Sequence, residues 1–152
     1  MGAAERTETP DEVALVRRLL LLLVGVGCIG LGAELVLLEH YDEWQQWIPL
    51  AALSAGLLSL AAVALRATRV SVRVFQLVMV AFVVAGALGV YLHYSGNVEF
   101  ELEMDAEMGG LALVWSALRG ATPALAPGAL AQIGLLGLIA TVRHPALGKR
   151  PI

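Results

Sequence analysis

The stretch LLLLLVGVGCIGLGAELVLL, residues 19–38, decides the fold, because its twenty residues carry a single charge, Glu34. A helix rises about 1.5 Å per residue, so a run of this length matches a hydrocarbon core of about 30 Å. The rest of the chain agrees: of 152 residues, 59% are hydrophobic and only 15% charged, with a mean hydropathy of +0.78. A soluble domain carries about 25% charged residues, and a core of this size cannot bury such an apolar surplus. The composition excludes an ordinary soluble enzyme, a disordered regulator and a basic nucleic-acid binder. A disulfide-stapled secreted domain is excluded as well, since Cys28 is the sole cysteine and lies inside the apolar run.

Outward from this run, the chain divides into alternating polar and apolar blocks. Residues 1–18 form a polar tail ending in Arg17-Arg18. A signal peptide competes for the run at 19–38, with Gly25-Val26-Gly27-Cys28 resembling a lipoprotein cleavage site. The acidic leader and the ten apolar residues beyond Cys28 favour a retained span instead. Residues 48–65 and 74–94 are the second and third expected spans, joined by a basic connection holding Arg66, Arg69 and Arg73. Residues 124–142 are the fourth, followed by a basic tail at 143–152. The expected fold class is an all-α integral membrane protein, one domain of four transmembrane helices.

Charge predicts the orientation. Nine of the ten Lys and Arg residues lie in the two tails and the second connection, and Arg119 alone lies opposite. The positive-inside rule then puts both termini in the cytoplasm. Nine of thirteen acids fall on the other side, where Tyr41, Trp44, Trp47, Tyr91, Tyr94 and Trp115 also gather. Trp and Tyr favour the membrane boundary because their rings are apolar with one polar atom.

Residues 95–123 form the loop between spans three and four, and they predict an outer cap. In residues 97–105, Val98, Phe100, Leu102 and Met104 alternate with Glu99, Glu101, Glu103 and Asp105. Period-two alternation predicts an extended strand with one acidic face, able to dock a basic partner or simply solvated. The apolar residues 109–118 are too few to span and predict a short interfacial or re-entrant helix.

Several residues carry candidate chemistry. Glu34 is costly inside a span; it reads either as a proton- or ion-handling carboxylate or as a boundary group bonded to a neighbouring helix. His40 and His93 share the same outer depth and, with Glu39, would ligate haem or a divalent metal. Against this, no local metal-ligand spacing surrounds either histidine. Gly27, Gly30, Ala55, Ala85 and Gly89 read as close-packing positions, and Gln76, Ser54, Ser59 and Gln132 as interhelical hydrogen-bonding groups. Gly25-x-Gly27-x-x-Gly30 matches a dinucleotide fingerprint only as a string, because that motif needs a strand-to-helix turn. No Ser, Thr or Cys has a neighbouring base suited to nucleophilic catalysis.

The expected function is therefore non-enzymatic: a small polytopic subunit of a bacterial inner-membrane complex, or a homo-oligomer. Its partners would be the lipid bilayer and other membrane subunits or itself, with no nucleic acid. Two alternatives are a haem- or metal-binding redox protein with its site at the outer interface, and a small proton- or ion-coupled transporter or channel using Glu34.

Overall fold

The structure, a computed structural model, describes residues 10–148. The leader through residue 9 and residues 149–152 of the basic tail lie outside the described residues. Five helices follow in chain order: α1 (Pro10–Leu37), α2 (Trp47–Leu65), α3 (Arg69–Met104), α4 (Gly110–Leu118) and α5 (Gly128–Ala140). Single 3₁₀ turns lie at Trp44–Gln46 and Pro145–Leu147. Among the described residues, three helical stretches are long and apolar enough to cross a membrane: Asp11–Leu37, Trp44–Leu65 and Arg69–Met104. The described residues are thus all-helical, and the three long apolar helices are consistent with a multi-pass membrane protein.

Local chemistry sets the helix ends. Asp11 and Glu12 occupy the first turn of α1, where the helix dipole favours negative charge. At its other end the Glu39 amide donates to Val36 O at 3.1 Å and the His40 amide to Leu35 O at 2.9 Å. This is a Schellman stop, and Glu39 takes the left-handed position (φ 53°) usually held by glycine. Only three residues join α2 to α3. Thr68 Oγ1 accepts from the Ser71 amide at 3.1 Å, and Ser71 Oγ accepts from the Thr68 amide at 2.9 Å, a reciprocal cap that starts α3.

Two expectations are corrected here. Residues 97–105 form no strand, for α3 runs unbroken through them to Met104. A lone strand would leave its amides and carbonyls unpaired, whereas extending an existing helix adds one hydrogen bond per residue fixed. Glu, Leu and Met are also strong helix formers. The second correction concerns the fourth span: residues 124–142 do not form one span-length helix. Their α-helical part is the 13 residues of α5, flanked by 3₁₀ turns. At its start Gly128 N donates to Leu125 O and Leu130 N to Pro127 O, and at its end Thr141 N donates to Leu138 O. Tightening to i→i+3 bonds is a common way for helix ends to satisfy their orphan groups.

The long helices and α5 run antiparallel in the order α1, α2, α3, α5, and α1 closes the bundle against α5. The end holding Arg17, the α2–α3 turn and the close of α5 is basic; the opposite end is acidic. The α3–α5 seam is the tightest. Moving along α3, Gln76 meets Thr141, Met79 meets Gly137 and Gly134, Gly86 meets Ala131, and Gly89 meets Pro127. Bulk is exchanged along this seam. Near the basic end Phe75, Met79 and Phe82 of α3, all 0% exposed, lie over glycines of α5. Toward the acidic end α3 supplies the glycines and α5 the larger groups. Phe82 also fills the notch at Gly56 of α2, where an added Cβ would stand 2.5 Å from its Cζ. Helices in lipid associate through such close packing, because burial from water supplies no drive there.

Large apolar side chains remain exposed around the outside of the bundle: Leu22 and Ile29 on α1, Leu58 on α2, Leu77 on α3, Leu135 and Ile139 on α5. At about 1.5 Å per residue, the 36 residues of α3 reach about 54 Å. That exceeds a hydrocarbon core, so the Glu-rich end of α3 projects from the bundle, with α4 folded back on it.

Candidate functional site

The acidic end gathers most of the chemistry-bearing side chains. Glu39 is spent on its backbone role at the close of α1, and its side chain is exposed. His40 follows it and is half-buried. His93 sits on α3 between Gly89 and Asn97, and its Nδ1 is buried without a hydrogen-bond partner among the described residues. Nowhere among the described residues do three or more His, Cys, Asp or Glu side chains converge to hold a metal ion. His40, His93 and Glu39 are therefore not brought together as a three-ligand set.

The carboxylates of α3 do not share one face. At about 100° per residue, Glu99 and Glu103 lie on one side of the helix while Glu101 turns to the other. Glu99, Glu103 and Asp105 are exposed and Glu101 is half-buried. All four crowd the C-terminal pole of α3, where the helix dipole opposes negative charge, and no basic residue lies in that last turn.

The most ordered polar cluster is one that sequence reasoning missed. Asn97, 3% exposed, donates from Nδ2 to Ala117 O at 2.8 Å and to Thr122 O at 2.7 Å. Its Oδ1 accepts from Thr122 Oγ1 at 2.6 Å and from the Thr122 amide at 3.2 Å. All four hydrogen-bonding positions of the carboxamide are filled, so one side chain latches the end of α4 and its loop onto α3. The legible signal was an isolated Asn within a helix-forming run, facing a Gly-Ala-Thr-Pro loop.

Glu34 lies on the outer face of the bundle. A groove of about 360 Å³ runs between α1 and α5, with Gly27, Gly30, Leu31 and Glu34 on one wall and Gln132 and Ile133 on the other. Side chains on a helix lean toward its N-terminus. Because α1 and α5 are antiparallel, Glu34 leans toward the basic end and Gln132 toward the acidic end. Both line the groove together with Gly30, where an added Cβ would meet nothing within 4 Å. Both side chains are exposed, and neither has a hydrogen bond or ion pair among the described residues.

The packing residues named from sequence are placed unevenly. Gly27 lies against Ile133, Gly89 against Pro127, and Ala85 packs on the core. Ala55 is exposed, and its neighbour Gly56 makes the contact instead. Gln76 reaches across to Thr141 Oγ1 at 3.1 Å. Ser54 and Ser59 bond within their own helix, to Leu50 O and Gly56 O.

At the basic end a second cluster closes α5. Arg17 Nε of α1 donates to Ala140 O at 3.0 Å, placing a cation on the orphan carbonyls of a helix C-terminus. His144 follows, and its Nδ1 accepts from the Ala146 amide at 3.2 Å. Burial, and then the charge of Arg17, hold this imidazole below its usual value of 6.5. The unfolded chain therefore binds the proton more readily, and stability present above pH 6.5 is lost as pH falls through that value and below. Arg17→Met is expected to raise the His144 midpoint, measured by NMR titration in micelles. The same change should cost about 1–2 kcal/mol in unfolding free energy by uncapping α5.

Comparison of the chain with models of known protein families, with curated proteins and with solved structures found no match.

Proposed function

We propose that this protein is a non-enzymatic assembly subunit of a membrane, working through its outer faces as a homo-oligomer or as an accessory part of a larger complex. The observation that carries this reading is the filled bundle axis. Phe75, Met79 and Phe82 are fully buried against glycines of α2 and α5, while the unpaired polar groups Glu34 and Gln132 face outward. A transporter or enzyme places such groups along an internal path or cleft; an assembly subunit carries them on its surface.

In this reading α5 and its flanking 3₁₀ turns form a fourth, shortened crossing. Its support is that α5 meets α3 near Gly89 at the acidic end and near Gln76 at the basic end. The basic end faces the cytoplasm of a bacterial inner membrane, in keeping with the distribution of Arg and Lys. The projecting α3–α4 hairpin forms a helical outer cap whose carboxylates, from Glu99 to Asp105, meet a basic partner. The test is mild extraction from native membranes followed by native mass spectrometry. A stable oligomer, or a stoichiometric membrane-protein partner, is the expected result. A monomer free of bound protein at every detergent concentration would overturn the reading.

A further inference from the structure

The α1–α5 groove is open and holds two polar side chains, Glu34 and Gln132, on helices that the assembly reading places in the membrane. Gln132 is the fifth of the 13 residues of α5, well inside the apolar segment, and Glu34 and Gly30 line the same groove. An amide and a carboxylate left facing lipid have no water to bond. The groove supplies both halves of a hydrogen bond, a donor from the Gln132 carboxamide and an acceptor from Glu34. A surface of this kind is complementary to itself. Rotation about a twofold axis along the membrane normal keeps every group at its depth. Gln132, next to the Gly27–Ile133 contact, lies about 9 Å of helix rise from Glu34, a gap that the two side chains close by leaning toward each other across two opposed grooves. The empty space at Gly30 lets the two α1 backbones approach closely. Lipid headgroups lie at the interface, too shallow to serve Gln132.

We propose that this groove is the contact face of a homodimer, in which Glu34 of each copy accepts a hydrogen bond from Gln132 of the other. The proposal rests on the assembly reading above and narrows it to one partner, a second copy of this chain, and one surface.

The test uses the full chain reconstituted in phospholipid vesicles with Cys28→Ala, which leaves no other thiol. Gly30→Cys should form a disulfide-linked dimer on oxidation with copper phenanthroline. Leu58→Cys, on the exposed face of α2, should not. In the native chain, energy transfer between labelled copies reads the dimer dissociation constant without a cysteine change. Each of Glu34→Leu and Gln132→Leu removes two symmetry-related bonds and should weaken the dimer about tenfold. Glu34→Gln keeps an acceptor and should stay within about threefold. Far-ultraviolet circular dichroism of each variant checks that the helices are intact. An oligomer or complex in which Gly30→Cys stays unlinked, or which both leucine variants leave unchanged, overturns the groove and leaves the assembly reading standing. A monomer in the vesicles overturns the groove, and a monomer free of bound protein on extraction from native membranes overturns the assembly reading as well.

Discussion

Gly86→Val is expected to unseat α5 from α3, lowering the unfolding free energy of the solubilised protein by about 3 kcal/mol or more. At this position even a single added carbon would lie 2.6 Å from the Ala131 amide nitrogen and 2.9 Å from Pro127 O. Both are backbone atoms of α5 or its leading turn, so no rotamer change relieves the clash and the helices must separate. Gly134 is the reciprocal site, where a Cβ would stand 2.6 Å from Met79 O. Gly134→Val should cause a comparable loss, and because the two sites share one seam, their combined effect should fall short of the sum. Gly96 is on the same helix with nothing within 4 Å of an added Cβ. Gly96→Ala should therefore be neutral, or stabilising by about 0.5–1 kcal/mol. Unfolding in SDS followed by tryptophan fluorescence separates these outcomes. Equal losses at Gly86 and Gly96 would mean that the glycines matter for flexibility rather than for contact.

That seam explains what was legible in the sequence and what was not. Apolar runs as long as a bilayer is thick identify α1, α2 and the main part of α3 without further information. Which side of each helix faces its neighbours is a different matter. In water the polar face of a helix announces its orientation, but these helices are apolar all round, and small residues recur on several faces. Ala51, Ala55 and Ser59 form one four-residue ladder on α2; the observed contact instead runs through Leu53, Gly56, Ser59 and Val63. One residue of offset turns the helix by about 100°. Likewise Glu34 was identifiable as a costly charge, yet its place in an open groove depends on which face of α1 packs against α5. The alternation in residues 97–105 misled because period two carries weight only where a sheet partner exists. Pro123 and Pro127 shorten the α-helical part of the last apolar run, since the residue before a proline is pushed out of helical geometry.

Asn97 is the polar counterpart of the glycine seam, and Asn97→Leu is expected to release α4 from α3. The substitution strands the Thr122 carbonyl, amide and hydroxyl together, and it takes the Asn97 donor from the Ala117 carbonyl, which keeps only the Gly120 amide at 3.5 Å. Leaving a buried polar group unpaired costs about 1–3 kcal/mol. Water reaches this projecting end once it opens, so the loss should appear as local detachment rather than global unfolding. Amide exchange across residues 110–122 should accelerate by at least about a hundredfold, equivalent to about 2.7 kcal/mol, while the α3–α5 seam keeps its protection. Asn97→Asp should be no better, because it replaces two donors with a carboxylate aimed at two carbonyl oxygens. Gly120 tests the same latch from the other side, since a Cβ there would stand 2.5 Å from Asn97 Cγ. Gly120→Ala should therefore open the same segment, and adding it to Asn97→Leu should change little more. Additive acceleration in the double variant would show that Gly120 and Asn97 act on separate contacts. Exchange rising equally across α5 would show that the cap and the bundle form one cooperative unit.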